Sequence, residues 1–144
     1  MDRQQFQSWL DGYVEAWKTY DEAKIGALFA DDVEYRYHPL SDPVIGRDAV
    51  VRDWLENKDG AGTYDAEYKV LAIDGDTYVA DGHSDYFDGA GGTLRDQYFN
   101  VYVCRFNAAG ECAKFTEYWM QNSDFRRKAR TDLIAKVKSG EVTE

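Results

Sequence analysis

The chain has 144 residues, of which 44% are apolar, and it carries a net charge of −10. That length suits one domain, 1–144, with room for a sizeable core. The acidity speaks against nucleic-acid phosphate and against an anionic membrane surface as partners, and is most simply a matter of solubility.

Residues 2–19 place Phe6, Trp9, Leu10, Tyr13, Val14 and Trp17 at steps of three and four, the spacing of an amphipathic helix. Its first residues, "MDRQQFQSWL", have no long apolar run, so no signal peptide is expected. No segment is long and apolar enough to span a bilayer, and cytoplasm is the default location. Asp21 is placed to cap a second short helix through Ile25, Leu28 and Phe29. "VEYRYH" reads as a strand that stops at Pro39, and "HPLSDPVIG" as a loop holding both prolines. "RDAVVRDWLEN" predicts a third helix, ended by the glycine-rich "KDGAG".

From there the pattern turns to strands. "TYDAEYKVLAID", "TYVADGHSDYF", "LRDQYFNVYVCRF" and "CAKFTEYWMQ" are joined by glycine-containing turns, so an antiparallel meander is the expectation. Aromatic residues make up 15% of the chain, eleven of them tyrosine. Tyrosine suits walls that are part apolar and part polar. Cys104 and Cys112 flank the turn "RFNAAGEC"; with no C-x-x-C pattern they read as two buried thiols in a reducing compartment rather than zinc ligands. A final helix is expected over about 123–139, with "RRKAR" as a solvated face. Helices followed by a meander indicate α+β, with the sheet curled round the helices.

"DGHSDYFD" within the second long strand is the stretch most suggestive of chemistry. Alternation puts Val79, Asp81, His83, Asp85 and Phe87 on one face. Either that face is wet or it lines a pocket. In a pocket, His83 would be a candidate general base with Asp85 beside it to orient or charge it. On a wet face, His83 sits in solvent and Asp85 merely begins a turn.

The stretch "GYVEAWKTYDEAKIGALFADDVEYRYHPLSDPVIGRDAVVRDW" resembles the opening of the nuclear-transport-factor-2-like superfamily. Its SnoaL-like polyketide cyclases and ketosteroid isomerases share this style. The resemblance is carried by Tyr13, Trp17, Asp21, Leu28-Phe29-Ala30-Asp31-Asp32, Pro39 and Gly46-Arg47, and by the closing "RFNAAGECAKFTEYWMQ". It covers about residues 9–122. It implies a cone-shaped curved antiparallel sheet wrapped around N-terminal helices, a cystatin-like α+β barrel with a core over about 6–122 and an added C-terminal helix. A pocket would open at one end, and dimers would pair through the outer sheet face.

By this similarity Asp96, Tyr98, Asn100, Tyr102 and Cys104 face inward, while Gln97, Phe99, Val101 and Val103 form an apolar outer face. In the last strand Ala113, Phe115, Glu117 and Trp119 face in. Tyr13 and Trp17 look in from the first helix, and Tyr35, Tyr37 and His38 come from the short strand and its exit. His83 and Asp85 fall on the face expected to look into the cone.

Ketosteroid isomerases use an oxyanion-donating tyrosine on the first helix, which Tyr13 matches. Their aspartate base precedes a proline, where this chain has His38 (or Tyr37), and their protonated aspartic acid corresponds to Tyr102. Scytalone-dehydratase-like members use a histidine and tyrosines, which His83 and Tyr35 resemble. Superfamily epoxide hydrolases need an Asp-Arg-Asp set that Asp85, Arg95 and Asp96 do not supply. The resemblance implies a pocket for a small, largely apolar molecule with an oxygen function. It implies acid–base chemistry (isomerisation, cyclisation or dehydration) without a metal or organic cofactor. His83 would be the base and Asp85 its helper, Tyr13 or Tyr102 the oxygen donor, and Glu117 a second acid/base. The alternative is a non-catalytic pocket or dimerisation domain.

Overall fold

The computed structural model describes residues 1–141, without the side chains of 125–127 and 129. Helix α1 spans Arg3–Thr19 and opens on a capping box, in which the Asp2 carboxylate accepts from the Gln5 amide and the Gln5 side chain accepts from that of Asp2. Asp21 caps α2 (Glu22–Ala27) through the Lys24 amide. Strand β1 (Phe29–Arg36) starts at Phe29 rather than at Val33, because the buried Phe29 already belongs to the sheet. A two-residue strand β2 (Val44–Ile45) pairs with β1 inside the segment expected to be loop. Helix α3 (Arg47–Glu56) follows. Then come β3 (Tyr64–Asp74), β4 (Thr77–Phe87), β5 (Leu94–Phe106), β6 (Cys112–Gln121) and α4 (Ser123–Lys138). The "RRKAR" stretch on α4 lies partly outside the described side chains.

The six strands form one sheet in the order β2-β1-β6-β5-β4-β3. β3 to β6 are the antiparallel meander. The expectation of an antiparallel sheet throughout is corrected at one joint: β1 pairs parallel with β6, Tyr35 beside Phe115. The sheet curls over α1, whose buried side is Phe6, Trp9, Leu10, Tyr13 and Ala16.

The core is a network of rings. Phe115 stacks on Tyr35 at 4.5 Å and on Tyr13 at 5.4 Å, while Trp54 meets Tyr13 edge-on at 5.1 Å. Edge-to-face and offset pairs of this kind add about 0.5–1.5 kcal/mol each beyond area burial. The Trp9 indole finds its buried acceptor in the Leu28 carbonyl, 3.0 Å away. Cys104 and Cys112 are buried free thiols, and burial pushes the Cys104 thiol well above its usual range.

Gly46-Arg47 has a physical reason. Gly46 has φ +96°, which only glycine takes up without strain. Arg47 then donates from Nε to the Phe29 carbonyl (2.8 Å) and pairs with Asp31 (2.6 Å) and Glu111 (2.8 Å). One guanidinium thus ties α3 to β1 and to the β5–β6 turn, using the fork geometry a lysine lacks.

Candidate functional site

α1, α3, β1 and the meander enclose a cavity of about 450 Å³. Its floor is buried: Tyr13, Tyr35, Trp54, Ser84 and Tyr102. Its rim is part-exposed and includes Trp17, Tyr20, Tyr37, Asp53, Asp59 and Tyr86, with Asn57 outermost. Glu117 projects into the same space from β6.

The hydroxyls of Tyr13 and Tyr35 lie 2.5 Å apart. Two phenols sharing one hydrogen bond leave one O–H for a ligand, whichever donates. Burial pushes Tyr13, Tyr35 and Tyr102 well above the ordinary tyrosine value, so all three remain neutral donors near pH 7. Ser84 is held from behind by Tyr68, 2.6 Å away, and Asn100 bonds both of them. At the rim, Tyr37 donates to Asp53, and Asp59 Oδ2 accepts from Trp17 Nε1 (3.0 Å) and Tyr20 Oη (3.4 Å).

Glu117 stands apart. Desolvation pushes its carboxyl up to about 7. Among the described residues no hydrogen bond or ion pair reaches that carboxylate. Its charge is nonetheless felt by Tyr13, Tyr35 and Tyr102, whose ionisation it further opposes. A carboxyl with no partner in a ring-lined cavity is poised to take and return a proton near neutral pH.

The expectation for His83 and Asp85 is corrected. The inward side of β4 is Tyr78, Ala80, Gly82, Ser84 and Tyr86, so His83 and Asp85 lie on the outer face. His83 sits between Glu67 of β3 and Phe99 of β5 in the strand register. Its Nδ1 is 3.2 Å from Asp85 Oδ2, an ion-pair distance without hydrogen-bond alignment, and Gln97 donates to the other Asp85 oxygen at 3.0 Å. The physical reason is charge: turning Asp81, His83 and Asp85 inward would bury three ionisable groups, while the opposite parity is uncharged.

Of the remaining expected residues, Tyr13, Trp17, Tyr35, Tyr37, Tyr102 and Glu117 come together around the cavity. Phe115 is fully buried beneath the Tyr13 and Tyr35 rings and does not line it. His38 is in the loop after β1, its Nδ1 accepting from the Leu40 amide, and its ring centre lies 6.0 Å from that of Trp119 in a T-shaped contact. Trp119 is half exposed and touches Tyr98, which in turn meets Tyr86 edge-on beyond the rim. Asp96 is buried away from the cavity, accepting from Arg95 (3.0 Å) and Gln121 (3.1 Å). His38, Asp96, Tyr98 and Trp119 are therefore placed outside the cavity, contrary to expectation. Sequence reasoning missed Tyr20, Asp53, Trp54, Asn57, Asp59, Ser84 and Tyr86. The inward parity of β4 was the signal available for Ser84 and Tyr86. The helical spacing of Val50, Asp53, Trp54 and Asn57 was that for α3.

The SnoaL-like domain family matches residues 10–115. The chain belongs to that family. It is similar in structure to a candidate ketosteroid isomerase from Kribbella flavida, with a TM-score of 0.62 at 20% identity over 83% of this chain and 80% of that one. It is also similar to an NTF-2 like protein of unknown function from Burkholderia xenovorans, with a TM-score of 0.61 at 12% identity over 81% and 83%. No curated protein matches the chain. At these identities the SnoaL-like domain shares a fold with those two proteins, within a superfamily that hosts many unrelated activities. Among the described residues no helix of this domain is long and apolar enough to cross a membrane.

Proposed function

We propose that this SnoaL-like domain moves a proton on an apolar carbonyl compound without a cofactor, in an isomerisation, cyclisation or dehydration. Glu117 is the group that carries the reading: an unpartnered carboxyl, raised to about 7 by desolvation, facing a cavity floored with neutral phenols. In an isomerisation, its carboxylate takes a proton from the carbon beside the carbonyl. The electron pair moves to the carbonyl oxygen, which accepts a hydrogen bond from the free O–H of the Tyr13–Tyr35 pair or from Tyr102. Glu117 then returns the proton at the far end of the conjugated system, so the atoms balance.

A panel of unsaturated ketones incubated in heavy water tests this, with NMR reading deuterium entering the substrate. Exchange catalysed by the protein should rise with pH through about 7, as a base requires. It should fall at least about a hundredfold in Glu117→Gln, the usual scale for general acid–base catalysis. A glutamine variant as active as the parent would sink the assignment. Binding of a ketone without exchange would leave a ligand-binding domain instead.

The outer sheet face is proposed as the surface of a homodimer. Phe99, Tyr118 and Met120 are exposed there, beside Val101 and Val103. Sedimentation should give twice the 16.5 kDa chain mass, and Phe99→Lys should return a monomer. A monomeric parent rejects that surface. The two buried free thiols fit a reducing compartment such as the cytoplasm.

A further inference from the structure

The proton-transfer reading leaves open what kind of molecule fills the cavity, and the charge of its wall bears on that. Among its thirteen lining residues are three carboxylates, Asp53, Asp59 and Glu117, and no lysine, arginine or histidine. No cationic side chain among the described residues pairs with any of the three. We propose that the cavity takes a molecule carrying a protonated amine, seated at the rim against Trp17, Tyr20 and Asp59, with its apolar remainder on the tyrosine floor. This rests on the proton-transfer reading and names the substrate class for the same site.

Two observations support it. First, Asp59 is held in place by neutral donors alone, the Trp17 indole and the Tyr20 hydroxyl. A carboxylate offers about four acceptor positions, so lone pairs remain for an ammonium. Second, the rim is aromatic. Trp17, Tyr20, Tyr37 and Tyr86 all line the opening, with the Trp17 and Tyr86 rings 6.3 Å apart. Aromatic faces attract alkylammonium groups, and more strongly when water is displaced. An anion would meet the charges of Asp53 and Asp59, joined above pH 7 by that of Glu117, in a space too small to screen them, since the Debye length at physiological salt is about 8 Å.

The test is calorimetric titration of the full chain, above pH 7 and at low salt, with three probes that share one scaffold: phenylbutylamine, phenylbutanol and phenylbutyrate. The amine should bind at least about tenfold more tightly than the alcohol. The butyrate should not bind. Added salt should narrow the gap between amine and alcohol. Asp59→Asn should bring the amine close to the alcohol while the alcohol's own affinity stays put, which also shows that the variant is folded. An alcohol that binds as well as the amine, a butyrate that binds, or an amine that does not bind at millimolar concentration each overturns the proposal. Deuterium exchange into ketones is read separately. Exchange without an amine preference rejects the cation and keeps Glu117 as base. An amine preference without exchange makes the cavity an amine receptor that does no chemistry.

Discussion

Glu117→Gln is expected to stabilise the protein at the same time as it removes the proton-transfer group, and the gain will depend on pH. The ordinary carboxyl value of 4.5 rises to about 7 in the folded chain. Well below 4.5 both the folded and the unfolded chain hold the proton, and the two proteins should be equally stable. As pH climbs from 4.5 to 7 the unfolded chain releases its proton and the folded chain keeps it, so the parent loses stability. Above 7 the loss is complete. At about 1.4 kcal/mol per pH unit it amounts to roughly 3 kcal/mol. Glutamine fills the same space, keeps hydrogen-bonding capacity and carries no charge to desolvate. Urea unfolding of parent and variant across this range should give curves that meet in acid and separate above neutrality. Curves that coincide at pH 8 would mean that Glu117 is solvated, and it would then lose its claim to be a tuned base. A protein that keeps a destabilising carboxyl in its cavity is expected to be using it.

The second large effect concerns Gly82. It lies on the inward side of β4, between Ala80 and Ser84, opposite Tyr68 of β3 and Asn100 of β5. A Cβ added there would fall inside the Glu67 carbonyl oxygen and only 2.8 Å from Tyr68 Cα. Both are backbone atoms, so no side chain can swing aside. β3 and β4 would have to part, at the place where the Tyr68 hydroxyl reaches Ser84. Gly82→Ala should therefore cost about 3 kcal/mol, the upper end for overpacking. In a domain of this size that lowers the melting temperature by about 10 °C. Ser84 should also lose its position on the cavity floor, and ligand affinity should fall with it. A melting temperature within about two degrees of the parent would show that the strands tolerate the methyl group.

The architecture was largely legible in the sequence because the helices announced themselves through their spacing. α2 did so a second time through its cap, Asp21 before Ile25 and Leu28. The meander was legible from its turns. The parallel β1–β6 joint was not, since no local signal says which distant strand a chain will lie beside. The site was read half correctly. On β5 and β6 the family resemblance set the parity, and Tyr102 and Glu117 came out on the inner face. On β4 both parities contain aromatic residues, and analogy to a histidine enzyme selected the wrong one. Counting charges would have selected the other: three ionisable groups on one side against Tyr78, Ala80, Gly82, Ser84 and Tyr86 on the other. The rim residues of α3 and the loop beyond it, Asp53, Asn57 and Asp59, come from positions that read as a solvated helix face and its terminus.

The β1–β6 pairing also bears on how the chain comes to be folded at all. Phe29, Val33 and Tyr35 leave the ribosome early, yet the surface that covers Tyr35 is Phe115 on the last strand. Until that strand is made, the rings of the first third of the chain lack Phe115, the ring that stacks on both Tyr13 and Tyr35. Contacts between such distant segments slow folding, because a long loop must close before any stabilisation is returned. The aromatic core thus closes only once β6 has been made. During elongation the surface that Phe115 later covers is open to chaperones or to wrong partners.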